Sequence, residues 1–252
     1  MSGRAIWRVV GTAILLTLGV LIWEIAVRLR DTPTWFLPAP SRIASTLWNE
    51  RNLLADNAWV TLQEVVAGFA IAVILGVGLA ILINASQLLE WTIYPLVIAS
   101  QAIPLIALAP LLLVWFGYGA GPKITITALI AFFPIVVGTV DGLRSADRET
   151  IDLLRTFGAD RWTRFRMVRV PSALPSFFSG AKIGVSVAVI GAVFGEYVGA
   201  DAGLGYLMNI SAPKLQTSLV FAAIVVLAGM AVLLFAIVAL IERSVLRWCR
   251  YT

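Results

Sequence analysis

The feature that most limits this chain is where its charges are missing. Residues 9–23, 65–89, 91–122, 124–140 and 215–241 carry none, and beyond Glu24 the first run continues to Val27. A further stretch, 176–199, is apolar but holds Lys182 and Glu196. Crossing a bilayer takes about 20 mostly apolar residues in a helix. Apolar residues make up 60% of the chain and charged ones 13%, against about 45–50% and about 25% in soluble domains. A water-soluble fold of this size could not hide that much apolar surface, so the expected solvent is lipid. The expected class is an all-α integral membrane protein with six transmembrane helices.

The first run reads as a span rather than a cleavable signal, because charged residues 28–31 follow Val27 and no small-residue cleavage site does. Pro33, Pro38 and Pro40 then break the chain, and residues 41–48 read as a short amphipathic helix at the interface. Residues 1–58 are therefore taken as the first helix plus an external interfacial segment. Residues 59–252 are taken as the main transmembrane domain, with a cytoplasmic loop at 141–175.

Two absences narrow the chemistry. Histidine does not occur, and Cys249 is the single cysteine, which removes histidine bases, histidine metal sites, disulfides and paired-cysteine zinc sites. No catalytic residue, metal ligand or cofactor is expected in this chain, and Cys249 is read as incidental. The net charge of +5 reflects membrane-loop bias rather than nucleic-acid binding. With the N-terminus inside, twelve Lys and Arg fall on the inner side and six on the outer, which places both termini in the cytoplasm.

Seven of those inner arginines lie between Asp141 and Pro171. Ser145 or Asp147 can cap a first short helix, and Glu149 adds negative charge near its start. Ile151, Leu154 and Phe157 recur at helical spacing. Gly158 can take the left-handed conformation that ends a helix, and Asp160 can cap the next. Trp162, Phe165 and Val168 form a second stripe that Pro171 is expected to stop. Two readings follow. One is an interfacial helix pair whose arginines touch anionic lipid; the other is a rigid corner that docks into a cleft on a soluble partner.

The run Asp152-Leu-Leu-Arg-Thr-Phe-Gly158, nine residues, then Val168-Arg-Val-Pro171, resembles the EAA loop of ABC-transporter permeases. That pattern is Glu-Ala-Ala, three residues, Gly, nine residues, Ile-x-Leu-Pro. Acid, glycine and proline are kept; Asp152-Leu153-Leu154 and Val170 depart from it. The resemblance covers about residues 60–245. It is closest to the importer branch that serves nitrate, sulfonates, taurine and pyrimidine precursors of thiamine. Gly191-Ala-Val-Phe-Gly-Glu-Tyr-Val-Gly-Ala-Asp-Ala-Gly-Leu-Gly-Tyr-Leu-Met208, Pro104-Leu-Ile-Ala-Leu-Ala-Pro110 and Trp115-Phe-Gly are similar to segments of that branch.

The resemblance implies the type I importer permease fold in the cell inner membrane. It implies a second permease chain, usually an identical copy, two copies of a separate ABC ATPase subunit, and a periplasmic or lipid-anchored solute-binding protein. ATP and Mg would belong to the ATPase. A P-loop needs Gly-Lys followed by Ser or Thr, and Lys123, Lys182 and Lys214 all lack that context. The residues expected to couple to the ATPase are Asp152, Leu153, Arg155, Thr156, Phe157, Gly158, Arg161, Trp162 and Pro171. Gly158→Asp is expected to abolish transport and leave membrane insertion intact.

For the substrate path the candidates are Gln101, Pro104, Glu196 and Tyr197. Charges inside a membrane are functional candidates, and Pro104 frees a backbone carbonyl that needs a polar partner or a cavity. Lys182 and Glu196 lie about 21 Å apart along one helix, too far to pair, and Lys182 can snorkel. Glycines 180, 184 and 191 suggest close packing of their span, with a second copy as one partner. The segment Gly195-Glu-Tyr-Val-Gly-Ala200 points by analogy to an aromatic heterocycle, such as a thiamine pyrimidine precursor or riboflavin. The alternatives are a nitrate, alkanesulfonate or taurine importer, or an ion-coupled secondary transporter.

Overall fold

The computed structural model describes residues 3–247, and among them every regular element is helical. Cys249 lies outside the described residues. In chain order the elements are α1 (Gly3–Leu29), α2 (Pro40–Asn49), α3 (Arg51–Ala85), α4 (Gln87–Ser100), α5 (Leu105–Phe116) and α6 (Ala120–Arg144). After them come α7 (Arg148–Thr156), α8 (Arg161–Arg164), a π-helical turn (Phe165–Arg169), α9 (Val170–Gly199), α10 (Leu204–Ser211) and α11 (Thr217–Val245).

Five of the six expected spans are present as helices long and apolar enough to cross a membrane: Val10–Leu29, Arg51–Ala85, Ala120–Arg144, Arg161–Gly199 and Thr217–Val245. The run at 91–122 is instead broken into α4 and α5. Proline 104 has no N–H to continue the ladder, and its ring disfavours helical geometry in Ile103. The chain meets this with tight turns, Gln101 N–H to the Ile98 carbonyl (3.2 Å), Ala102 to Ala99 (3.1 Å) and Ile103 to Ser100 (3.1 Å). Counting charges finds the run and misses the break.

Pro171 also behaves differently from expectation, since the helix does not stop there. Arg161 to Gly199 is one continuous helical path, and Pro171 is the second residue of α9, two residues after the π turn. The Val170 N–H donates to the Phe165 carbonyl, one residue wider than an α turn. Such a bulge gives the proline ring room and absorbs its missing donor.

The centre of the bundle is α6 against α9. Lipid supplies no hydrophobic drive between helices, so close approach of small residues must hold them. A Cβ on Gly180 would run into the Pro134 carbonyl, and one on Gly191 would come within 3.0 Å of the Thr127 Cα. The glycine face of α9 is therefore filled by α6 of the same chain, not by a second copy. Helix α3 adds Val65, Ala72, Ala80 and Ile83, all buried. Helix α2 is more than an interfacial helix: Ile43 is buried in the main core cluster, and α2 packs on α11.

Helix α1 stands apart. Leu15, Leu16 and Ile22 are exposed, while its C-terminal turn is anchored by Trp23 against Phe221 (ring centroids 5.8 Å) and by Glu24. That carboxylate accepts from the Ser41 N–H (3.0 Å) and hydroxyl (2.8 Å) and pairs with Arg28 (2.6 Å). Residues 58 and 59, the expected boundary, fall inside α3.

Candidate functional site

The long helices carry polar groups to two opposite ends of the bundle. At the end holding residues 145–169, Asp147 caps α7, accepting from the N–H groups of Glu149 (3.3 Å) and Thr150 (3.0 Å). Gly158, at φ +79°, closes the helix. Its N–H donates to the Arg155 carbonyl and the Ala159 N–H to the Leu154 carbonyl, each at 3.0 Å, the pair of bonds that defines a Schellman ending. Asp160 starts α8 by accepting from the Thr163 N–H at 3.0 Å. Two aspartate caps around one left-handed glycine make a stiff elbow from about fifteen consecutive residues.

Both capping carboxyls lie below the usual aspartate value of 3.8. Hydrogen bonds from the Thr150 hydroxyl and N–H hold Asp147 down, and those from Thr163 do the same for Asp160.

The elbow turns an apolar and cationic face outward. Phe157 is 78% exposed, Trp162 65% and Leu153 56%; Asp152, Arg155, Thr156 and Arg161 are exposed beside them. The expected stripe of Ile151, Leu154 and Phe157 is divided, the first two half-buried toward the bundle and Phe157 facing away. Trp162 stacks on Phe165 at 5.7 Å. Met167, beyond them, is 63% exposed. Its position between arginines in a run read as a helix stripe gave no separate signal.

The elbow's root is fastened. Arg144 pairs with Glu90 at 2.7 Å and lies over the Tyr94 ring at 4.3 Å, Tyr94 donates to Asp141 at 3.1 Å, and Arg169 donates to Asn84 at 2.9 Å. Lys182, on the first half of α9, pairs with Glu242 of α11 at 2.7 Å.

At the opposite end the polar groups turn inward. Glu196 is 1% exposed and accepts from the Thr61 hydroxyl (2.6 Å) and the Gly205 N–H (2.5 Å). Lys123 forms a buried ion pair with Glu64. Thr61 also accepts from the Leu204 N–H (2.9 Å), and Asn57 accepts from the Gly203 N–H (2.8 Å). This clasp binds α3, α6, α9 and the start of α10. Asn57, Thr61 and Glu64 recur at helical spacing on one face of α3, a local signal the sequence reading did not use; their meeting with Lys123 and Glu196, far along the chain, has no local sign.

Of the path candidates, Glu196 therefore lies inside the clasp. Tyr197 next to it is 40% exposed, and its carbonyl accepts from Asn209 at 3.2 Å. Gln101 and Pro104 lie elsewhere, exposed at the break between α4 and α5. Among the described residues no three His, Cys, Asp or Glu side chains gather to hold a metal.

Comparison with known proteins bears on this arrangement. The profile of the family described as "Binding-protein-dependent transport system inner membrane component" matches residues 71–247. The chain is 40% identical over 230 residues to the formylaminopyrimidine transport permease protein ThiX of Halalkalibacterium halodurans, covering 91% of this chain and 92% of that one. It is 37% identical over 244 residues to the riboflavin transport system permease protein RibX of Chloroflexus aurantiacus, covering 96% and 91%. In fold it is similar to a chain of the MetNI methionine ABC transporter solved in inward-facing conformations, with TM-score 0.69 and 23% identity over 78% of this chain and 98% of that one. An elbow at the position of the EAA loop, on an all-helical bundle of multi-pass type, thus has the ancestry its motif suggested: the chain belongs to the family of binding-protein-dependent ABC importer permeases.

Proposed function

We propose that this chain forms the solute path of an ATP-driven importer of an aromatic heterocycle, a pyrimidine precursor of thiamine or riboflavin, in the cell inner membrane. It works with a second permease chain, an identical copy, and takes solute from an external binding protein. The elbow faces the cytoplasm together with both chain termini. There Leu153, Phe157 and Trp162 enter a cleft on a separate ATPase subunit, one for each permease chain, with Arg155 and Arg161 at the rim. ATP and Mg reside on that subunit.

The observation that carries this reading is the outward apolar face of a capped elbow. Large exposed aromatics on a rigid support, flanked by arginines, are the composition of a protein-binding hot spot. When the ATPase subunits close, a stiff corner passes their motion into α9, which continues from it without a break past the π turn. A floppy loop would absorb that motion. The heterocycle reading is favoured by identity: 40% and 37% to the pyrimidine and riboflavin permeases, against 27% to the taurine permease TauC of Escherichia coli.

Uptake by proteoliposomes containing the chain, its ATPase and the binding protein tests the reading. Uptake of the heterocycle is expected to need ATP and to stop with vanadate. Uptake driven by an ion gradient without the ATPase would favour a secondary transporter instead. A binding protein that holds taurine, nitrate or an alkanesulfonate, and no heterocycle, would replace the substrate.

A further inference from the structure

The bundle-facing side of the elbow holds a groove that shares Arg161 and Trp162 with the docking face and adds Arg164 and Arg169, which that face does not use. Its volume is about 620 Å³, and it lies between the last turn of α3 and the start of the α8–α9 helix, with Arg161, Arg164 and Arg169 on its walls beside Trp162 and Asn84. No carboxylate lines it. Among the described residues none of the three arginines makes an ion pair. Two are pre-positioned by neutral acceptors: Arg169 donates to Asn84 (2.9 Å), and Arg164 donates through Nε to the Asp160 carbonyl (3.3 Å). Each guanidinium has five N–H groups, so most of their donors are left for a ligand.

A second, apolar slot of about 190 Å³ adjoins it, running between α3, α6 and α9 past Val77, Leu143, Leu174 and Phe177. Ile81 and Phe165 line both spaces. The order along this path is cationic head, aromatic rim, apolar tail. It lies at the membrane end of the elbow, where the apolar length of the spans gives way to the arginine-rich segment.

From this juxtaposition we infer that the groove is a binding site for one anionic phospholipid of the leaflet on the elbow's side. The phosphate sits between Arg164 and Arg169, with Arg161 at the edge shared with the docking face, and an acyl chain sits in the slot between α3 and α9. Basic pockets between spanning helices at the cytoplasmic surface suit anionic head groups, and planar guanidinium groups suit phosphate oxygens. An acidic side chain of the ATPase would meet the charge but leave the slot empty. Free phosphate has the same shortfall. The lipid ties the elbow's inner side to α3, stiffening the lever at its root, and the inference is independent of which solute is carried.

The test is native mass spectrometry of the full chain purified with its ATPase, delipidated, then titrated with phosphatidylglycerol, phosphatidylcholine or inorganic phosphate. One phosphatidylglycerol per permease chain is expected, about tenfold tighter than phosphatidylcholine. That preference is expected to vanish in Arg164→Gln/Arg169→Gln and to survive in Arg164→Lys/Arg169→Lys, which keeps the charge. Equal binding of the two lipids overturns the proposal, as does an undiminished preference in the glutamine variant. Loss in the lysine variant too, with ATPase co-purification unchanged, would show that charge at these two positions does not set the preference, and overturn the proposal. Phosphate binding as tightly as the lipid would leave an anion site with no role for the slot, and overturn the lipid.

Discussion

The two ends of this bundle use the same kinds of residue in opposite ways. At the clasp, Glu64, Glu196 and Lys123 are buried and their partners come from the same chain. At the elbow, Phe157, Trp162, Arg155 and Arg161 stay exposed above a backbone whose caps are satisfied, while Arg164 and Arg169 are half-buried on acceptors of the same chain. A buried charge without a partner is costly, so the clasp must be complete inside the fold. The elbow sits where water and head groups solvate charge, and can therefore keep its side chains in reserve for something else. One end is complete within the chain; the other leaves exposed side chains that the chain itself does not cover.

Breaking the clasp should have the largest effect. Lys123→Met leaves Glu64, whose Oε2 already makes no hydrogen bond, close to a second buried carboxylate. It is expected to cost about 3–5 kcal/mol, read as a fall in unfolding midpoint in mild detergent. Adding Glu64→Leu should recover most of that loss; no recovery would mean the pair is not what holds α3 to α6. Next comes the seam joining the two ends. Gly180→Leu forces a side chain into the Pro134 carbonyl and should destabilise by about 1–3 kcal/mol, with both ends loosened in hydrogen exchange.

The elbow should respond in another currency. Gly158 has open space where a Cβ would go, so Gly158→Val meets only the left-handed backbone, about 1–2 kcal/mol. Expression and insertion are expected to stay normal while ATP-dependent uptake is lost and ATPase co-purification falls. Gly158→Asp is expected to abolish uptake as well, at a smaller cost in stability, because aspartate tolerates that conformation better. Normal uptake by Gly158→Val would show that the corner angle does not matter.

The smallest effect is expected from pH. Asp147 and Asp160 titrate below 3.8 in the fold, so their capping contribution is in full force above the unfolded aspartate range. It fades only as pH falls through those lowered values. Amide exchange at Thr150 and Thr163, corrected for its intrinsic pH dependence, should be flat from about pH 5 to 8 and rise only in stronger acid. Melting of the caps near neutral pH would contradict the geometry.

Legibility from sequence divides along the same line. The elbow could be seen because its parts are neighbours: Asp147, Gly158 and Asp160 act on backbone groups within five residues of themselves, and local hydrogen bonding is a property of short strings. Reading Pro171 as a stop failed because the π turn just before it accommodates the ring. Reading 91–122 as one span failed because a charge-free composition says nothing of continuity, while Pro104 does. The closure of the clasp was beyond reach, since Thr61 and Glu196 are separated by 135 residues.

What this chain's residues determine by themselves is therefore its solvent, its helical class and the local shape of its arginine-rich loop, all set by transfer free energy and nearest-neighbour backbone chemistry. Tertiary structure alone decided that α9's glycines face α6, that Lys182 meets Glu242, and that two carboxylates and a lysine from three helices share one buried cluster. Those pairings depend on which helix faces lie within a few ångströms of each other, and helical periodicity identifies a face without naming its partner.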